Sequence, residues 1–160
     1  MRSARDPLTE QDLVAQLAQV VVAQTAPDEI LLFDVTAQEY FSDPDAVLDP
    51  RRREEQVGFG LDLAMMTPVV LAVVTPVIHY LLSIAVEVLK EHMRPAAKEW
   101  VRHLLGRGEG KDAEAESPTL TQDQIRHVRE LAAGSAVRLG MSPADADLLA
   151  DAVVGGMVVR

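Results

Sequence analysis

The sequence predicts an all-α protein: a long, apolar, Pro-interrupted central helix continuing into an amphipathic helix, with an N-terminal helix and a C-terminal helical hairpin. Three observations carry this. Residues 63–86, LAMMTPVVLAVVTPVIHYLLSIAV, run 24 positions with no formally charged side chain. Apolar residues recur at helical spacing before and after that stretch. Helix-start signatures, a Thr followed three residues later by Asp or Gln, stand at Thr9 and Thr121.

The first helix begins at Thr9, with Asp12 completing a capping box and Leu8 and Leu13 placed as a hydrophobic staple. Leu13, Leu17, Val20 and Val21 form its apolar stripe, and Pro27 stops it. Between Asp28 and Phe41 the stripe Ile30, Phe33, Ala37, Tyr40, Phe41 predicts a short turn through ILLF and then a helical turn. Thr36 and Glu39 there resemble a second capping box. Residues 42–56 read as a charged linker broken by Pro44 and Pro50.

Within the apolar stretch, Thr67-Pro68-Val69 recurs as Thr75-Pro76-Val77. Proline disfavours a helix interior and suits its first turn, so each Thr is expected as an N-cap and each Pro as a first helical residue. Beyond Pro76, the residues His79, Ser83, Glu87, Glu91, Arg94, Lys98 and Arg102 step by three or four and define one polar line on a single helix, with Pro95 as a kink point. Residues 106–118, GRGEGKDAEAESP, read as a flexible acidic linker. In the tail, Thr121 and Gln124 form a capping box. Ile125, Val128, Leu131, Ala132 and Leu139 form a stripe, and Gly140 is the stop. Ser142, Pro143 and Asp145 then open a last helix, whose buried face is expected at Leu148, Leu149, Ala152 and Val153.

The chain thus divides into an acidic helical region with its linker (1–56), an apolar and then amphipathic segment (57–105) with a candidate single membrane span at about 63–86, a linker (106–118) and a helical hairpin (119–160). A two-helix unit is too small to stand alone, so the hairpin is expected to dock on another helix or another copy.

Composition narrows the function. The 160 residues are 48% hydrophobic but only 4% aromatic, so the core is built of aliphatic side chains. The 12 Arg against 3 Lys suggest a GC-rich, bacterial coding genome. There is no cysteine, which excludes disulfides, thiolate nucleophiles and Cys-ligated zinc. The N-terminus lacks the apolar run of a signal peptide. Net charge is −10, and residues 1–56 alone hold 12 acidic against 5 basic groups. Acidic ends argue against nucleic acid as a partner.

No motif carries chemistry. Glu99 and His103 could share a metal edge, but a surface pair is the plainer reading. GRGEGK is one residue short of a P-loop and lacks its Ser or Thr. Asp43, Asp45 and Asp49 lack the glycine and ligand pattern of a calcium loop. No catalytic residue, metal site, cofactor or small-molecule substrate is expected. His79 stands out as an ionisable group inside the apolar stretch, where membrane-buried polar groups are functional and where, in a bundle, a histidine simply meets solvent or a partner.

Three non-enzymatic functions fit. One is a membrane-associated adaptor or regulatory protein, its C-terminal side cytoplasmic by the positive-inside rule, binding partner proteins through its two ends. Another is a soluble, cytoplasmic all-α interaction module whose long apolar helix calls for self-association to cover it. The last is an oligomerising membrane-active effector.

Overall fold

The long apolar segment forms a single helix, and the other helices are arranged around it. The computed structural model describes residues 8–49, 66–89, 94–105 and 119–158. Its elements are α1 (Glu10–Thr25), a 3-10 helix (Pro27–Leu32), α2 (Phe33–Ser42), α3 (Pro44–Leu48), α4 (Met66–Leu89), α5 (Arg94–Leu104), α6 (Gln122–Arg138) and α7 (Pro143–Val158). No strand occurs among the described residues, and the fold class is all-α.

α4 is 24 residues long, roughly 36 Å at 1.5 Å per residue. Among the described residues it is the one helix long and apolar enough to cross a membrane. Helices α1, α2, α3, α5 and α6 all contact it, and α7 packs on α6 and α1. Val70, Leu71, Val73, Val74, Val77, Ile78 and Leu81 are fully buried. The chain's own helices cover α4 as far as Ala85, so a second copy is not required for that. The C-terminal hairpin docks as expected, on α1 and α4 of its own chain.

The first Thr-Pro pair lies in the first turn of α4, whereas the helix runs through the second, which corrects the expectation that Thr75-Pro76 starts a helix. Pro68 lies in the first turn, where no intrahelical N–H is needed. Pro76 lies inside the helix, where it deprives the carbonyl four residues back of a donor. Thr75 is no cap: its hydroxyl donates to the Leu71 carbonyl at 2.7 Å. Packing on several sides holds the helix together across the interruption.

α5 folds back against α4 and also touches α1, burying Ala97, Val101 and Leu104. The apolar helix therefore continues into an amphipathic one that does not extend its axis. Two helices replace the expected single helix kinked at Pro95, and the second lays its Ala97 stripe against α4 and α1.

At the N-terminus, the Thr9–Asp12 capping box is formed. The expected second box is not. α2 begins at Phe33, and Thr36 is buried on its inner face with Phe33, Ala37 and Tyr40. Part of the expected linker is helical: Asp43 caps α3 by accepting from the Ala46 N–H at 3.1 Å. Residues 106–118 lie outside the described residues.

In the hairpin, the Thr121–Gln124 box is formed, and Gly140 takes a φ of 100° at the turn. Only glycine adopts this conformation without strain. Ser142 accepts from the Asp145 N–H at 3.2 Å and opens α7. The inner face of α7 is Ala146, Leu149, Ala150, Val153 and Met157. Leu148 was expected on it but is 67% exposed, since the 3.6-residue turn aligns Leu149, one position on, with Ala146 and Val153.

α7 approaches α1 most closely at Gly156, where an added Cβ would stand 3.2 Å from Leu17 Cδ1 and 3.3 Å from Val20 Cγ1. At the adjacent Gly155 a Cβ would meet nothing within 4 Å. Gly155→Ala is therefore expected to stabilise the protein by up to about 1 kcal/mol through helix propensity. Gly156→Val is expected to destabilise it by about 1–3 kcal/mol through overpacking. Urea denaturation of the two variants, followed by circular dichroism, checks the opposite signs.

Candidate functional site

The residues singled out in the sequence fall on two helices. His79, Ser83 and Glu87 lie on the exposed strip of α4. Lys98 and Arg102 lie half-buried on α5, which also begins with Arg94. Glu91 is outside the described residues. Because α5 packs back on α4, the described residues of the line do not share one helix face.

His79 Nε2 contacts Glu10 Oε1 in the first turn of α1, and both side chains remain partly exposed. This carboxylate–imidazole contact bridges α1 to α4 at the rim of their buried interface. Ser83 donates to the Tyr80 carbonyl at 2.6 Å. Arg102 lies 3.7 Å from Glu99 through Nη1, while its Nε is buried without a partner. The His103 Nδ1 is 2.7 Å from the Glu99 backbone carbonyl. That engages one ring nitrogen of the histidine with its own helix. No group of three or more His, Asp or Glu able to hold a metal stands together among the described residues.

Two further arrangements had no signal in the sequence. The first is at the start of α4. Glu29, in the 3-10 helix, accepts from the Met66 N–H at 3.0 Å and from the Thr67 N–H at 3.4 Å. A negative side chain thus satisfies donors that the helix itself leaves open, at the positive end of its dipole. Beside it, Thr67 is fully buried and its hydroxyl has no partner. A cap supplied from 37 residues away has no local pattern by which to be read.

The second is an exposed apolar cluster where the 3-10 helix meets α2. Leu31 is 93% exposed, Leu32 55% and Val35 59%. Asp28, Asp34 and Glu39 are exposed on the same two elements. The aromatic residues next to the cluster turn inward: Phe33 and Tyr40 are buried and Phe41 is half-buried.

On the opposite side of the sequence, the Arg129 Nε donates to Asp151 Oδ1 at 2.8 Å and ties α6 to α7. Tyr80 of α4 and His127 of α6 bring their rings to 4.4 Å between centroids.

The chain matches no protein-family model, no curated protein and no solved structure.

Glu29→Ala is expected to cost about 1 kcal/mol, the usual loss of a helix cap, read as a lower urea midpoint with an unchanged slope. The hairpin ion pair sets a pH dependence. The hydrogen bond from Arg129, helped by its charge, holds the Asp151 carboxyl below the usual carboxylate range, and Arg129 is raised in turn. With the folded value depressed, the stabilisation is present above about pH 4 and is lost as pH falls through the folded value. Asp151→Asn is therefore expected to be slightly less stable than the parent at pH 7. The difference should shrink as pH falls through the depressed folded value, as thermal melts at neutral and acid pH would read.

Proposed function

We propose that this chain is a soluble all-α protein-interaction module in which the apolar helix α4 is the core. The observation behind this reading is the covering of α4 by helices that turn polar faces outward. From Val69 to Ala85 its inward side chains meet α1, α2 and α6. On their outer sides, α1 carries Gln11 and Gln24, α2 carries Asp34, Gln38 and Glu39, and α6 carries Arg126, Arg129 and Glu130, all exposed. Helices of this kind belong in water, since a charged side chain facing hydrocarbon is costly. Moving α4 into a bilayer would also strip the buried faces of α1 and α6 of their cover.

Among the described residues no grouping of side chains suggests a reaction. The membrane-associated adaptor draws on one observation, the length and apolar composition of Met66–Val88. The core helix of a soluble protein has the same length and composition.

Expression followed by fractionation separates the two readings. The protein is expected in the supernatant without detergent. Full recovery in the membrane pellet after alkaline extraction would replace the soluble module by the anchored adaptor.

A further inference from the structure

We infer that the junction of the 3-10 helix and α2 is a docking surface for a basic amphipathic helix of another protein, an inference that rests on the soluble-module reading. Leu31 and Leu32 are adjacent, Val35 follows one helical turn on, and together they are the most concentrated exposed apolar group among the described residues. They are not spare core residues turned out by crowding. Phe33, Thr36, Ala37 and Tyr40 already fill the inner face of α2, and no element among the described residues covers the three outer residues. Leaving two leucines and a valine in water forgoes stabilisation that burial would supply, which is the mark of a contact surface.

Charge identifies the occupant. From Leu8 to Asp49 the chain holds nine acidic residues and no Lys, Arg or His; the nearest basic residues in sequence are Arg5 and Arg51. Asp28, Asp34 and Glu39 flank the apolar cluster itself and are exposed. A surface that is apolar at its centre and acidic at its rim fits a helix with an apolar stripe bordered by Lys or Arg. It disfavours an anionic lipid surface, which the same carboxylates would repel. It also disfavours a second copy docked through the same patch, because two acidic rims would then face each other.

The rim charges give the encounter a salt dependence, while the leucines and the valine hold the complex once formed. Glu29 lies within the same segment with its carboxylate engaged at the start of α4. The docking segment is thereby anchored to the core helix and presented on a fixed base.

The test uses the full chain and two synthetic 18-residue peptides, one of Leu and Lys in amphipathic helical order, the other with Glu in place of Lys. Binding is read by calorimetry and by sedimentation at low and physiological salt. The Leu/Lys peptide is expected to bind one-to-one and more weakly as salt rises; the Leu/Glu peptide is expected not to bind. Leu31→Gln with Val35→Gln is expected to weaken binding at least about tenfold, as is proper for two buried aliphatic side chains. Asp34→Asn with Glu39→Gln is expected to weaken it mainly at low salt. Glu130→Gln with Asp147→Asn removes two exposed charges on α6 and α7 and is expected to change nothing. An unchanged thermal melt of each variant shows that the fold is intact.

Equal binding to the Leu31/Val35 double variant would overturn the proposal, as would equal loss on changing Glu130 and Asp147. So would a dimer abolished by Leu31→Gln with Val35→Gln, or tighter binding to anionic vesicles than to the peptide. A protein that is soluble and monomeric yet ignores the Leu/Lys peptide loses the docking surface and keeps the soluble-module reading. A protein found only in membranes loses that reading first.

Discussion

A 24-residue helix with Glu87 as its one formally charged side chain is the constraint on which the rest of this structure depends. In water such a helix must be covered on most of its circumference, and a chain of this size has few elements with which to do it. The solution is to surround α4 with helices that each bury one stripe. α1 contributes Leu13, Leu17 and Val21, and α6 contributes Val128, Ala132 and Ala136. α5 folds back to contribute Val101. The polar strip His79, Ser83, Glu87 is the side of α4 that needs no cover. Val86 and Val88 near its end are exposed apolar residues of that helix. Aliphatic side chains suit this arrangement, because helices bearing Val, Ala and Leu can approach closely around a common axis.

Local chemistry was legible in the sequence and long-range chemistry was not. The boxes at Thr9 and Thr121 and the turn at Gly140 depend on residues within one turn of each other, and each forms as read. Thr75 misleads because a Thr-Pro pair has two uses. At a helix start the hydroxyl accepts from the backbone, whereas inside a helix it donates to the carbonyl four residues back. Which use prevails is decided by packing on α4, which no local window contains. Thr36 fails as a cap for the same reason, its place being fixed by the buried side of α2. Leu148 and Leu149 are adjacent leucines, and only the position of α1 and α6 decides which turns inward. Hydropathy alone counts apolar residues and says nothing of what they meet, so the same 24 residues read equally well as a span and as a core.

The surface follows from the same separation of roles. Acidic residues gather on the N-terminal elements, where Glu10 and Glu29 serve the fold by contacting α4 from two sides. Asp28, Asp34 and Glu39 remain exposed beside Leu31, Leu32 and Val35. The hairpin by contrast mixes both signs and ties its helices through Arg129 and Asp151. The polar line first visible in the sequence turns out to be divided between a solvent-facing strip of α4 and the half-buried Lys98 and Arg102 of α5.

The close approach of Gly156 to Leu17 and Val20 joins helices almost a whole chain length apart in sequence. Helical proteins fold fast when their contacts are local, and a pairing of this span requires a large loop to close before it is rewarded. α6 and α7 can form their hairpin early, from neighbouring residues. α1 completes its burial only once that hairpin has arrived. The side of α1 that faces Gly156 is then covered late, when two segments far apart in sequence meet, and until that point it is open to chaperone or aggregate.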